Sequence, residues 1–241
     1  MKKTALISVL LLVILLASCG VNTKQIRRMQ ALEEGVDNPT TIEEFSTAIG
    51  KYQKRIEDIL NAEQKNGLWY KLMATRYLDK QMYGKALENF RAAIGYYPTN
   101  QNLYYYVGVC AGYMAKASLD YDAAGKADER ARYYALAESA YLRAIELDPK
   151  YERALYGLAV LYTFELNAPD RAIPYLESIM AFQKRNLDAM FVLARCYYVT
   201  GDADKAVALY DKIISESKND ERKAEAAKNK ETVLQAAYGK K

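Results

Sequence analysis

Residues 83–98 read YGKALENFRAAIGYYP, and the spacing of four of them decides the fold. Ala86, Phe90, Ala93 and Pro98 follow one another at intervals of four, three and five. Ala137, Tyr141, Ala144 and Pro149 repeat those intervals, and Ala206, Tyr210 and Ile213 repeat them without the proline. Upstream of each run a small residue sits beside large apolar ones: Ala74, Gly108, Ala159 and Ala194. Small residues let two helices approach closely, an aromatic fills the space behind them, and proline stops the second helix. A period in the thirties built from two amphipathic helices predicts a solenoid rather than a single-core domain.

The small residues measure where the repeats deviate. From Ala74 to Ala86 is twelve residues, and from Ala194 to Ala206 again twelve, but from Gly108 to Ala137 is twenty-nine. Seventeen residues, roughly 115–131, are therefore inserted between the two helices of the second repeat. The insertion is expected to lengthen both. From Ala159 to Ala172 is thirteen, and the extra residue is expected at the turn Asn167-Ala168-Pro169-Asp170.

These features are similar to the tetratricopeptide repeat family. The resemblance implies an all-α fold, an α-solenoid of stacked antiparallel helix pairs closed by a C-terminal capping helix. The implied organisation is a repeat at 67–100, a second with its insertion at 101–151, a third at 152–186, a fourth at 187–219 and a capping helix at 220–241. Residues 40–66 read as an N-terminal helix or degenerate repeat. Thr41 and Glu44 form a capping-box pattern at its start, and Ile42, Phe45, Ile49, Tyr52, Ile56 and Ile59 form one stripe, expected to lie under the first clear repeat.

The chain begins with an address. Lys2 and Lys3 precede an apolar run from Ala5 to Ala17, too short for the roughly 20 residues that a spanning helix needs. Leu16-Ala17-Ser18-Cys19 resembles the lipobox of bacterial lipoproteins. That resemblance implies a signal peptide at 1–18, lipidation of Cys19 and a lipidated tether at 19–39. Several acyl chains make a stable membrane anchor where one does not. Gly20 follows the cysteine where enteric retention at the inner membrane uses aspartate, so the expected location is the bacterial cell envelope, with the outer membrane favoured. Cys110 and Cys196 lie two repeats apart and are expected as small buried residues without a bridge.

Composition narrows the chemistry. Among 241 residues there is no histidine, which removes the commonest general base and metal ligand together. No glycine-rich phosphate loop is present, adjacent carboxylates such as Glu33-Glu34 diverge on a helix, and Asp120, Asp122, Asp128 and Glu129 lack the spacing of a calcium loop. Neither an enzyme, a cofactor nor a metal is expected. A net charge of +4 with acids and bases interleaved gives no basic stripe for nucleic acid.

The remaining expectation is a protein or peptide partner. In the family that the chain resembles, set positions of each first helix face the inner, concave side. Carried over, these are Lys71, Tyr105, Tyr113, Arg153, Tyr156, Phe164, Phe191, Arg195 and Tyr198. Tyr105, Tyr156 and Phe191 would form a continuous aromatic wall with Arg153 and Arg195 beside it, and tyrosine and arginine dominate interface energetics. The same aromatics could instead pack between helices in a chain with 22 tyrosines. The asparagines of the family's carboxylate clamp are missing, so an extended or helical segment with apolar and acidic side chains fits better. The function expected is a membrane-anchored interaction scaffold that assists complex assembly. The alternative is an accessory lipoprotein of a solute transport system, pairing with a periplasmic binding protein.

Overall fold

The computed structural model describes residues 39–117 and 126–239, and every described element is helical. The nine described helices are α1 (Ile42–Asp79), α2 (Tyr83–Tyr96), α3 (Gln101–Ala117), α4 (Lys126–Leu147), α5 (Glu152–Val160), α6 (Pro169–Phe182), α7 (Leu187–Val199), α8 (Ala203–Glu216) and α9 (Asp220–Tyr238). The signal peptide, the lipidation site Cys19 and the tether up to residue 38 lie outside the described residues, as does the middle of the insertion. The chain divides into two units, Met1–Ala62 and Glu63–Lys241.

In the first unit the capping box forms as its spacing predicts. Glu44 accepts the backbone N–H groups of Thr40 and Thr41 at 2.8 and 3.1 Å, and the Thr41 hydroxyl accepts the N–H of Glu44 at 3.2 Å. Those bonds hold the Glu44 carboxyl below its ordinary pKa. The apolar stripe is exposed rather than buried, from 48% at Tyr52 to 82% at Ile42. Helix α1 also runs unbroken through residues 66 and 67, where the spacing suggests a boundary between two elements. No proline or turn sequence interrupts it there, so nothing opposes continued hydrogen bonding.

In the second unit each helix packs on the next from α2 to α9, and the first helices of successive repeats, α3, α5 and α7, also touch. This is the α-solenoid that the spacing predicts. Its core is made of the expected small–large sets: Ala86, Phe90 and Ala93, then Ala137, Tyr141 and Ala144, then Ala206, Tyr210 and Ile213, all buried. Gly108 and Gly157 bracket the Tyr141 ring so closely that a Cβ on either would meet it at 2.6 or 2.9 Å. Cys110 and Cys196 are free and buried. Burial pushes the Cys110 thiol up to about 12, which leaves it protonated and unreactive.

The turns between paired helices use the left-handed region at Gln81 (φ 57°), Asn167 (φ 49°) and Gly201 (φ 93°). These follow Ala74, Ala159 and Ala194 by seven, eight and seven residues. The extra residue of the third repeat therefore precedes its turn instead of lying within it. It is absorbed by a π-helical turn at Leu161–Glu165, where the Thr163 hydroxyl bonds back to the Ala159 carbonyl at 2.7 Å.

One recurring arrangement is not among those the residue spacing predicts. Lys85, Arg171 and Lys205 place their cations 5.6, 4.1 and 4.9 Å from the ring centres of Tyr77, Tyr162 and Tyr197. In the last two the hydroxyl also donates to a glutamate of the preceding second helix, Tyr162 to Glu138 at 2.8 Å and Tyr197 to Glu177 at 2.6 Å. Each of these two clasps ties three helices together. At the N-terminal end of this unit Trp69 and Met73 are 60% and 42% exposed, while their counterparts Leu103 and Val107 are buried against α2.

Candidate functional site on the first-helix face

Tyr105 and Arg153 come together across the second and third repeats. The Arg153 guanidinium lies 4.4 Å from the Tyr105 ring centre and 5.3 Å from that of Tyr106, and it donates to the Tyr106 hydroxyl at 3.4 Å. Edge-on contacts with Tyr106 and Tyr151 at 5.1 and 5.9 Å hold Tyr105 in place. A flat cation over aromatic faces keeps its outer N–H groups available to a ligand.

The second gathering is at the C-terminal end. Phe164, Phe191, Arg195 and Tyr198 line a cavity of about 260 Å³ whose far wall is α9, through Asn229 and Val233. Phe164 reaches it from the π-helical turn, and Arg195 lies 5.3 Å from the Phe164 ring. Phe191 meets the buried Tyr210 edge-on at 6.3 Å. Among the described residues neither Arg153 nor Arg195 has a carboxylate within ion-pair distance.

Tyr156 lies on α5, which packs against both α3, the helix of Tyr105, and α7, the helix of Phe191. Burial raises its phenol pKa; Asp188 adds to the shift and Arg222 opposes it. Asp188 and Arg222 neutralise each other at 2.9 Å, which joins the capping helix to the fourth repeat. Tyr113 stacks on Tyr83 of α2 at 4.3 Å and 7°, an inter-repeat contact, with 47% of its surface left open. Lys71, half-buried on α1, shares no hydrogen bond, ion pair or ring contact with the other eight in the described structure. No ring contact joins Tyr105, Tyr156 and Phe191 to one another among the described residues. Two clusters thus replace the continuous wall, because Tyr105 turns toward Tyr106 and Tyr151 and Phe191 toward Tyr210.

Tyr106, Tyr151 and the α9 residues are additions that sequence spacing did not supply. The signal for α9 was present: Glu225, Asn229 and Thr232 fall at intervals of four and three on one helix face. Among the described residues no group of three or more Cys, Asp and Glu could hold a metal ion, and no helix is long and apolar enough to cross a membrane.

Two tetratricopeptide repeat family models match, one over residues 123–181 and the other over residues 163–230. Tetratricopeptide repeats are thus matched over residues 123–230 of the chain. Over 219 residues it is 26% identical to a TPR repeat-containing protein of Borreliella burgdorferi, which covers 89% of this chain and 93% of that one. Among solved structures it resembles a thermophilic TPR protein of Thermus thermophilus. That match has 20% identity and a TM-score of 0.55, covering 78% of this chain and 93% of the other. It also resembles YrrB, described as a TPR protein with an unusual peptide-binding site, at 19% identity and a TM-score of 0.59 over 79% and 85% of the two chains. At that identity the likeness is one of fold.

Proposed function

We propose that this chain is a membrane-anchored interaction scaffold of the bacterial envelope, which binds a partner segment along its first-helix face and assists complex assembly. Tetratricopeptide repeats generally mediate protein–protein interaction, and the repeats here fit that role. The observation that carries the reading is the pair of aromatic–arginine clusters, Tyr105–Tyr106–Arg153 and Phe164–Phe191–Arg195–Tyr198. Aromatic rings offer large rigid contact area, and Arg153 and Arg195, with no carboxylate in ion-pair distance among the described residues, favour an acidic side chain even though Glu225 lines the second cavity. Apolar and acidic residues spaced along one segment satisfy both clusters at once. The lipobox resemblance at Cys19 supports the anchor.

Photo-crosslinking in the native envelope tests this. A crosslinker replacing Tyr198 should capture a discrete protein partner, and Arg195→Glu should abolish the capture. A crosslinker replacing the exposed Ser215 on α8 serves as the control surface. Equal capture from both positions, or capture indifferent to Arg195→Glu, would refute the groove. Cys19→Ser should move the protein from the membrane to the soluble fraction, and unchanged retention would refute the lipid anchor.

A further inference from the structure

Two grooves on the second-helix side occupy the same register in different repeats, and neither belongs to the first-helix face. The first, about 260 Å³, lies between α2, α3 and α4 and is floored by Ile94, Val107 and Ala140. The second, about 560 Å³, lies between α6, α7 and α8 and is floored by Met180, Leu193 and Leu209. Ile94 and Val107 correspond to Met180 and Leu193, each 86 positions on, and Ala140 and Arg143 to Leu209 and Lys212, each 69 positions on. The difference of seventeen is the length of the insertion, so the two grooves are repeat-equivalent. At the junction between them, α6 carries Tyr175 where the others have Ala140 and Leu209. Its ring lies 6.0 Å from that of Tyr162.

Both grooves join an apolar floor to a cationic rim. Arg91 and Arg143 edge the first; Lys184, Lys205 and Lys212 edge the second. Acids nearby offset part of each rim, and Glu177 itself lines the second groove, so the uncompensated cations are Arg91 on the first and Lys184 and Lys212 on the second, among the described residues. Glu146 pairs with Arg143 at 2.8 Å, Asp202 with Lys205 at 3.0 Å, and Glu177 accepts the Tyr197 hydroxyl. Lys212 donates to the Lys184 backbone carbonyl at 3.1 Å, while Arg91 has no ion-pair partner among the described residues. Apolar floors take methylene groups out of water, and the rim favours an anion at one end.

We propose that these grooves are two equivalent sites for a single-chain aliphatic carboxylate, its chain on the apolar floor and its head group on the rim cations. The proposal is independent of the first-helix face. Dodecanoate is the probe, titrated below its micellar concentration into the purified Cys19→Ser chain and followed by calorimetry. Saturation near two equivalents is expected. Ala140→Tyr reproduces the side chain that the intervening junction already carries, so it should fold and halve the stoichiometry. Leu209→Tyr should do the same for the other groove and stands in if the first variant does not fold. Arg143→Glu combined with Lys212→Glu should weaken dodecanoate at least tenfold and leave the neutral dodecanol unaffected. Absence of saturable uptake, or an unchanged stoichiometry in a folded tyrosine variant, overturns the proposal. So does equal loss of dodecanol and dodecanoate in the charge-reversed variant.

Discussion

Arg171 holds its guanidinium 4.1 Å from the centre of the Tyr162 ring while both side chains bond the same oxygen of Glu138. One residue from each of α4, α5 with its π turn, and α6 thus meets at a point. Removing the hydroxyl with Tyr162→Phe should cost about 1–2 kcal/mol, since Glu138 loses a hydrogen bond to a buried donor. Arg171→Ala should cost about 1 kcal/mol through the lost ring contact. The double variant should be less destabilised than the two added together, because each change already breaks the shared node. Denaturant unfolding of the four proteins in the cycle measures the coupling, and strict additivity would dissolve the clasp.

Gly108 faces Tyr141 with no room for a methyl group, because a Cβ there would stand 2.6 Å from the ring. Gly108→Ala should destabilise the chain by about 1–3 kcal/mol through overpacking. Tyr141→Leu in the same chain should recover part of that loss. Thermal melts of the single and double variants decide it, and a neutral Gly108→Ala would mean the helix pair can separate freely.

Gln81 holds a left-handed conformation at φ 57°, where Gly201 stands in the fourth repeat. An L side chain is disfavoured there by roughly 1–2 kcal/mol. Gln81→Gly should accordingly raise the unfolding midpoint, offset in part by glycine's greater freedom in the unfolded chain. A lowered midpoint would show that the glutamine side chain contributes more than the backbone strain removes.

High pH should unfold this protein through its tyrosines. Burial first, and then a carboxylate accepting the hydroxyl, raises the pKa of Tyr134, Tyr162 and Tyr197; Tyr134 is pushed up to about 12. Each folded pKa lies above the unfolded value of 10.0, so the folded chain holds more protons at alkaline pH. Their stabilisation is complete below pH 10 and is lost as pH rises through that value toward the folded pKa values. Stability measured between neutral pH and pH 11 should fall steeply above 10, and less steeply in Tyr162→Phe. A flat profile would contradict the buried phenols.

The solenoid was legible because its packing rule is written in residue size. Ala86 and Phe90, or Ala137 and Tyr141, occupy the same slots in sequence and in the core. The π-helical turn was not legible in that way. A one-residue excess between Ala159 and Ala172 gives its presence but not its place, since a turn and a widened helix absorb it equally well in sequence terms. The clasps did leave a trace: Tyr77 and Lys85, and Tyr197 and Lys205, are eight apart, while Tyr162 and Arg171 are nine apart across the π turn. For the candidate site, the positions carried over from the family resemblance named the arginines and most of the aromatics. They could not supply side-chain direction, which sends Tyr105 toward Tyr151 and Tyr113 onto Tyr83.

Trp69 is the chain's sole tryptophan, and it is 60% exposed at the N-terminal end of the second unit. Its indole is a built-in optical probe of that terminus alone. Whatever comes to rest there must shift the emission toward the blue, while occupancy of the distant cavity beside Arg195 leaves the spectrum where it was.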